Sequence, residues 1–296
     1  MQEQQESGEF YELAPIEDGF KTPELPEVDL AAVCIARNEA PYIREWIEYH
    51  RIVGVERFYF HDNGSGDNTR EVLEPYIREG VVVYRPISGD AMQLPVYRDA
   101  VLRYREQCRW MAIIDLDEFV VPKEKDTIPE FLEGFGESCG VGINWVLFDS
   151  NGHETKPTAH GGLVTANYTR VRQGHGDPQK GNKWIKSIVD PRKVRGFPTI
   201  HFPHYAVYLD GMHAVTENGE PLQGATARTH SSARIQVNHY RVKSREEYLR
   251  KLERGRAAVK GRFEFNESNL NYKKSEQDHA VDKYLPRLME ALGIRE

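Results

Sequence analysis

Asp115 and Asp117 stand two residues apart at the end of an apolar run, Trp110-Met111-Ala112-Ile113-Ile114. As the backbone leaves a strand, both carboxylates can turn toward one ion. Hard divalent cations prefer oxygen ligands and keep positions open for phosphate oxygens, so the pair suits the neutralising of a diphosphate leaving group. Two solvated acids would have the same spacing. The flanking Ile113, Ile114, Phe119 and Val120 favour the first reading, because carboxylates among apolar strands need a partner. A second cluster, Asp62-Asn63-Gly64-Ser65-Gly66-Asp67-Asn68-Thr69, carries the glycines of a tight turn. Asp67 is accounted for as a helix cap, which leaves Asp62 to accept a hydrogen bond from a nucleobase N–H. In a third cluster, Arg37-Asn38-Glu39, Asn38 can cap a helix and Glu39 can favour its dipole. Their position after the first apolar run also suits nucleotide contact. His239, between Asn238 and Tyr240, reads equally as a core histidine or as an imidazole for a metal or a diphosphate.

Two further stretches could meet an acceptor. Asp149-Ser150-Asn151-Gly152-His153-Glu154 is a polar loop. A hydroxyl that attacks as a nucleophile needs a base, and Asp149, His153 and Glu154 all qualify; their spacing does not rank them. Residues Arg170–Arg195 hold eight bases against two acids, Asp177 and Asp190. A charge run is usually a solvated face, but this one could also cover a diphosphate or meet an anionic acceptor. Within it Lys183 and Lys186 flank Trp184, whose ring could stack on a sugar.

The elements that must position these residues follow from hydrophobic periodicity. Leu30–Ala36 reads as a strand buried on both faces. Pro41–Val53 has helical spacing, Glu56–His61 is a second strand, and Asp67 opens a helix carrying Val72, Leu73, Tyr76 and Ile77. Val81–Tyr84 is a third strand, Pro95 opens another helix, and Trp110–Ile114 is a fourth strand. This alternation predicts a mostly parallel sheet flanked by helices, with ligands beyond the carboxyl ends of its strands. The three clusters follow strands one, two and four. Beyond Pro122, Val141–Phe148, Leu163–Val171, Trp184–Val189, Thr199–Leu209 and Ile235–Tyr240 read as strands without regular helices, and predict a smaller mixed β region over the crevice. Ser244-Arg245-Glu246-Glu247 is a capping box before a helix bearing Tyr248, Leu249 and Leu252. A last helix is expected over Gln277–Leu292, kinked or restarted at Pro286. The domain reading is a leader over 1–29, an α/β half over 30–122 suited to a nucleotide and its diphosphate, a mixed β half over 123–243 suited to an acceptor, and C-terminal helices over 244–296.

Charge and cysteine content narrow the setting. The net charge of −7 is concentrated at the start, where residues 1–29 carry nine acids and one base; the remainder sums to +1. That balance does not describe a nucleic-acid binder. The leader, with Pro15, Pro23 and Pro26, is expected to be poorly ordered. Cys34, Cys108 and Cys139 form no CxxC pair, which fits a reducing compartment. No basic segment leads into a signal-like apolar stretch, and no apolar run reaches the ~20 residues of a membrane span. The expected location is the cytoplasm, either free or peripheral at the inner face of the membrane.

An ordered set of motifs resembles the glycosyltransferases of family 92 and their relatives in family 2. It comprises Ile35-Ala36-Arg37-Asn38-Glu39, Trp46-Ile47-Glu48-Tyr49-His50, Asp62-Asn63-Gly64-Ser65 and Asp115-Leu116-Asp117-Glu118-Phe119. It continues with Asn144-Trp145-Val146-Leu147-Phe148, Ser150-Asn151-Gly152-His153, Asn238-His239-Tyr240, Lys243-Ser244-Arg245-Glu246-Glu247 and Arg254-Gly255-Arg256-Ala257. Each motif alone is weak; the order, from about Leu30 to Ala258, is specific. Gly66 stands where the family often has Thr, which leaves the turn intact. The resemblance implies a GT-A fold, a nucleotide diphosphate sugar donor, a divalent metal (manganese or magnesium), a glycan or other hydroxyl acceptor, and inversion at the anomeric carbon. By the same resemblance Arg37, Asn38, Glu39 and Asp62 would face the nucleotide. Asp115 and Asp117 would serve the ribose and the metal, and His239 would be a further metal ligand. Asp115-Leu116-Asp117 also looks like the nucleophile motif of haloacid dehalogenase-type phosphatases, though that motif usually follows the first strand. A scaffold that only binds nucleotide sugar or glycan is the third reading.

Overall fold

The computed structural model describes residues 10–12, 27–198, 204–255 and 265–295. The expected leader lies almost wholly outside them, as do the last residues of the Arg254–Ala257 motif. After a short strand β1 (Phe10–Glu12), the chain alternates through β2 (Val28–Ala36), α1 (Ala40–Ile52), β3 (Arg57–Asn63), α2 (Thr69–Glu79), β4 (Val82–Ile87), α3 (Gln93–Tyr104) and β5 (Cys108–Ile113). This is the order that the periodicity predicts. β2 is buried along nearly its whole length, because helices cover both faces of the sheet: one apolar cluster joins it to α1 and α2, the other to α3.

The chain then runs through β6 (Glu118–Pro122), α4 (Ile128–Leu132), β7 (Gly140–Leu147), α5 (Val164–Asn167), β8 (Arg170–Arg172), β9 (Ile185–Val189), β10 (Val194–Pro198), β11 (Val207–Tyr208), β12 (Val215–Thr216) and β13 (Ile235–His239). It closes with α6 (Arg245–Arg254), α7 (Glu267–Leu270), β14 (Ser275–Gln277) and α8 (Leu285–Leu292). The main sheet has nine strands in the order β4-β3-β2-β5-β9-β7-β13-β6, with β12 beside β7. Within it β6 and β9 run against the other strands. Small sheets β1-β10-β11 and β14-β8 make up the lesser β region.

Several expectations are corrected. β7, β9 and β13 do not form a layer over the crevice but extend the main sheet itself. Leu163–Val171 is not one strand: it divides into α5 and β8. The Glu45 carboxylate, buried on α1, accepts from Val164 N, Thr165 N and Thr165 Oγ1, each at 2.8 Å. A tertiary acceptor at a helix N-terminus thus overrides the β-propensity of a Leu-Val-Thr run. The last helix begins at Leu285, with Pro286 in its first turn, while Ser275–Gln277 pairs with β8 as a strand. Leu249 faces solvent; Tyr248 alone of the expected trio is fully buried. Of the Thr199–Leu209 strand, 199–203 lie outside the described residues, and only Val207–Tyr208 is extended pairing. Among the described residues, no helix is long and apolar enough to cross a membrane.

Candidate active site

The sheet topology explains how residues far apart in sequence meet. The parallel strands β2, β3, β5, β7 and β13 end at one edge, and the reversed strands β6 and β9 begin there. Arg37–Glu39, Asp62, Asp115–Asp117, Asp149 and His239 follow or close the first group. Glu118 and Lys186 open the second. The register pairs His239 with Glu118 and sets Lys186 opposite Ile143.

The Asp115–Glu118 turn is tightly held. Glu118 N donates to Asp115 O at 3.1 Å, and Asp115 N donates to Glu118 Oε2 at 2.9 Å. Trp46 Nε1, on α1, donates to the carbonyls of both residues. The Asp115 carboxylate is fully engaged. Its Oδ1 accepts from Gln93 Nε2 at 2.8 Å and Tyr97 Oη at 2.9 Å, and its Oδ2 meets Lys186 Nζ at 2.8 Å. Lys186 also lies 3.2 Å from Glu118 Oε2. Burial raises the affinity of both carboxyls for a proton. At Asp115 the Lys186 ammonium outweighs burial and holds the pKa below its usual value; at Glu118, wholly buried, burial wins and pushes it up.

Asp117 has a different set of partners. Its Oδ2 binds the Lys251 ammonium, and its Oδ1 lies 3.7 Å from His239 Nε2. Burial opposes its charge, but Lys251 and then His239 hold it well below the carboxylate range. Burial lowers the His239 pKa in turn, against the pull of Asp117. Lys251 comes from α6, where Ser244 and Glu247 form the expected capping box. One turn on, Arg254 binds Glu39 at 2.5 Å and the carbonyls of Arg37 and Asn38 at 2.7 and 3.2 Å.

The nucleotide candidates form a second knot. Asn38 adopts φ +53, a left-handed conformation that Asn tolerates. Its N–H donates to Ser65 Oγ at 2.9 Å and its Oδ1 accepts from Gly66 N at 2.7 Å. Asp62 Oδ1 accepts from Ser65 N at 2.9 Å and Oδ2 from Tyr84 Oη at 2.7 Å. Asp67 is not the cap that the sequence suggests: Asn68 holds that position without a side-chain cap bond, while Asp67, one residue earlier, accepts from Thr69 N and from Ala40 N at the start of α1. The first two βα turns are therefore one unit.

The candidate bases are placed differently. Asp149 is buried and saturated: Oδ1 accepts from Asn151 N at 2.8 Å, and Oδ2 from Arg170 Nη2 at 2.8 Å and Tyr272 N at 2.9 Å. His153 Nε2 lies 3.3 Å from Asn167 O, and Glu154 is largely exposed, 3.8 Å from Arg245. The backbone of both residues docks on the N-terminus of α6. Lys183 stands apart from the buried Lys186, half-exposed, its carbonyl accepting from Ala227 N. Sequence reasoning did not single out Gln93, Tyr97, Glu118 or Lys251. A charged residue on a strand flanked by Phe119-Val120-Val121 was the available sign for Glu118; the others lie on helices whose facing depends on packing.

The fit to a divalent ion divides these residues. Among the described residues, no group of three or more His, Cys, Asp or Glu side chains could hold a metal ion. Asp115 Oδ1 already accepts twice and its Oδ2 holds the Lys186 ammonium. Asp117 Oδ1 and His239 Nε2 can share one ion, with its other positions left to diphosphate oxygens. His239 Nδ1 and Glu118 Oε1 are buried without hydrogen-bond partners and lie 3.9 Å apart.

The model of glycosyltransferase family 92 matches residues 31–287. A family 92 protein from rice (Oryza sativa subsp. japonica) is 34% identical over 112 residues, covering 37% of this chain and 19% of that protein. The galactan beta-1,4-galactosyltransferase GALS3 of Arabidopsis thaliana is 34% identical over 223 residues, covering 71% of this chain and 40% of that protein. The chain thus spans less than half the length of these curated relatives. Among solved structures, residues 1–349 of TarS from S. aureus superpose with a TM-score of 0.35 at 13% identity, over 55% of this chain and 47% of that one.

Proposed function

The chain belongs to glycosyltransferase family 92, and on that premise we propose that it moves a sugar from a nucleoside diphosphate donor onto a hydroxyl acceptor, with inversion and with help from a divalent metal. The observation that carries this reading is the facing pair Asp117 Oδ1 and His239 Nε2, 3.7 Å apart beside Lys251 and Lys186. A divalent ion held there would supply positive charge to the leaving diphosphate. The protein's own residues do the rest. The knot of Asn38, Asp62 and Ser65 receives the nucleoside. Lys186 keeps Asp115 ionised and immobile. The acceptor oxygen attacks the anomeric carbon as the bond to the diphosphate breaks, and its proton passes to His153 or Glu154, since Asp149 has no free oxygen. Positioning and preformed charge account for most of the rate.

The donor and acceptor to try first are those of the galactan beta-1,4-galactosyltransferase relative: a nucleoside diphosphate galactose and a β-1,4-linked galactan fragment. Calorimetric titration with uridine diphosphate should show binding that manganese strengthens at least tenfold, and Asp117→Asn should abolish that strengthening. Metal-independent binding, unchanged in Asp117→Asn, would sink the metal role.

A further inference from the structure

Arg254 is the last residue of α6, and Gly255 turns the chain away from the helix at φ +84. An arginine in that place ordinarily serves its own helix, by favouring the negative end of the dipole. This guanidinium also crosses to the other end of the sequence. Its Nη2 binds Glu39 Oε1 at 2.5 Å, and its Nη1 donates to Arg37 O at 2.7 Å and Asn38 O at 3.2 Å. Those two carbonyls flank the Cα of Asn38. The fork therefore grips the backbone on both sides of the residue that stands at φ +53. The Arg254 side chain is 19% exposed and that of Glu39 10%, so solvent ions screen the pair little.

The helices on either side do not cap this turn themselves. Glu39 stands at the N-cap of α1 without a side-chain cap bond, and Asn68 at the N-cap of α2 is the same. A left-handed asparagine persists only where its surroundings over-determine it. Asn38 N donates to Ser65 Oγ at 2.9 Å, and Asn38 Oδ1 accepts from Gly66 N at 2.7 Å. A change of φ to the right-handed region would swing the side chain relative to its own N–H, so the two bonds cannot both survive it. The latch between the first and second βα turns thus depends on one backbone angle. Arg254, more than 200 residues away in sequence, holds the carbonyls on both sides of that angle.

We propose that Arg254 is a positioning residue: by clamping Glu39 and the carbonyls beside Asn38, it keeps the two turns latched in the form that receives a nucleoside. This rests on the reading of the Asn38, Asp62 and Ser65 knot as the nucleoside site. It has a particular consequence for affinity. When only a fraction of molecules holds the competent form, every ligand of that form is weakened by the same fraction, whatever else it carries. Loss of Arg254 then weakens a nucleoside, its monophosphate and its diphosphate by one common factor. An arginine that touched phosphate would behave otherwise. Its loss would spare the nucleoside and weaken the diphosphate most, because charge-assisted bonds to phosphate oxygens are the strong ones.

The test titrates the full chain with uridine, its monophosphate and its diphosphate, and with the guanosine series beside them, by saturation-transfer NMR and calorimetry. Arg254→Met should weaken all three members of the bound series about tenfold, as when the latched fraction falls to about a tenth. Hydrogen exchange at the Gly66 amide, measured with no ligand, should speed up in the same variant. Ser65→Ala removes the latch from its other side, so the losses in the double variant should not add. Arg254→Lys keeps a charge beside Glu39 but not the planar fork; it should show part of the same common loss, and it carries the comparison if Arg254→Met fails to fold. A loss confined to the phosphate-bearing ligands would overturn the proposal and put the guanidinium on the diphosphate. Unchanged Gly66 exchange would overturn it too, whatever happens to affinity. A wild type that binds no member of either series sinks the donor reading of the knot, while Gly66 exchange decides separately whether Arg254 holds the latch.

Discussion

Lys186 lies buried between Asp115 at 2.8 Å and Glu118 at 3.2 Å. Breaking a buried pair by removing one partner costs far more than the pair contributes, because the remaining charge has no water. Lys186→Met should therefore destabilise the fold by about 3–5 kcal/mol, read as a lower urea midpoint at unchanged slope. A loss under about 1 kcal/mol would mean that Asp115 and Glu118 find solvent or take up protons at little cost. The proton acceptor is also decided at this scale. Of His153→Ala and Glu154→Gln, the variant that removes the base should lower kcat about 10²–10⁴-fold with little change in KM; the other should stay near wild type. Equal, small effects in both would move the base outside the 149–154 loop.

Helix α1 sits between two jobs at the scale of elements. Its first turn follows Glu39 and receives Asp67 at Ala40 N, and its middle sends Trp46 Nε1 to the Asp115–Glu118 turn. From the same helix Glu45 captures the N-terminus of α5 with three hydrogen bonds. Helix α6 works in parallel: Glu247 completes its own cap with Ser244 and accepts from Tyr42 at 2.5 Å and Tyr168 at 2.7 Å, while Lys251 and Arg254 reach the site. Ser244→Ala should cost about 1 kcal/mol, as other caps do. Glu45→Ala leaves buried donors unsatisfied and should cost more, about 2–4 kcal/mol. Thermal midpoints that rank the two variants in the opposite order would mean that α5 does not depend on Glu45.

At the scale of the whole molecule, β14 and β8 are tied to the main sheet through a charged cluster. His175 lies 2.8 Å from Glu276 and 3.2 Å from Asp278, and Gln236 of β13 donates to both oxygens of Asp278. The hydrogen bond to Asp278, opposed by burial and aided by Glu276, raises the His175 pKa. Burial works against Asp278, but His175 and Ala280 N lower its pKa. A raised histidine contributes stability that is fully present below its unfolded value of about 6.5 and fades as pH rises through the folded pKa. A lowered carboxyl contributes above its unfolded value of about 3.9 and fades as pH falls. The difference in unfolding free energy between wild type and His175→Gln should therefore be largest between about pH 4 and 6.5 and shrink on the alkaline side. A difference that is flat from pH 5 to 9 would exclude this linkage.

Periodicity made the β-α-β-α-β-α-β half legible, because a strand buried on both faces must be apolar throughout and its covering helices must show a period near 3.6. The strand-end clusters were legible for the same reason: Arg37–Glu39, Asp62 and Asp115–Asp117 interrupt apolar runs where chains turn. Asp115-x-Asp117 alone left a phosphatase open, and the match to family 92 over residues 31–287 favours the transferase. What the sequence did not contain was facing. That β9 and β6 run backwards, and so bring Lys186 and Glu118 to the same edge as Asp115, depends on pairings between residues as distant as Ile113 and Ser187. Which partner each acid meets depends on packing: Asp115 meets Lys186, Gln93 and Tyr97, Asp149 meets Arg170, and Asp117 meets Lys251 and faces His239. Local pattern dictates where a side chain leaves the backbone; only packing decides what it meets.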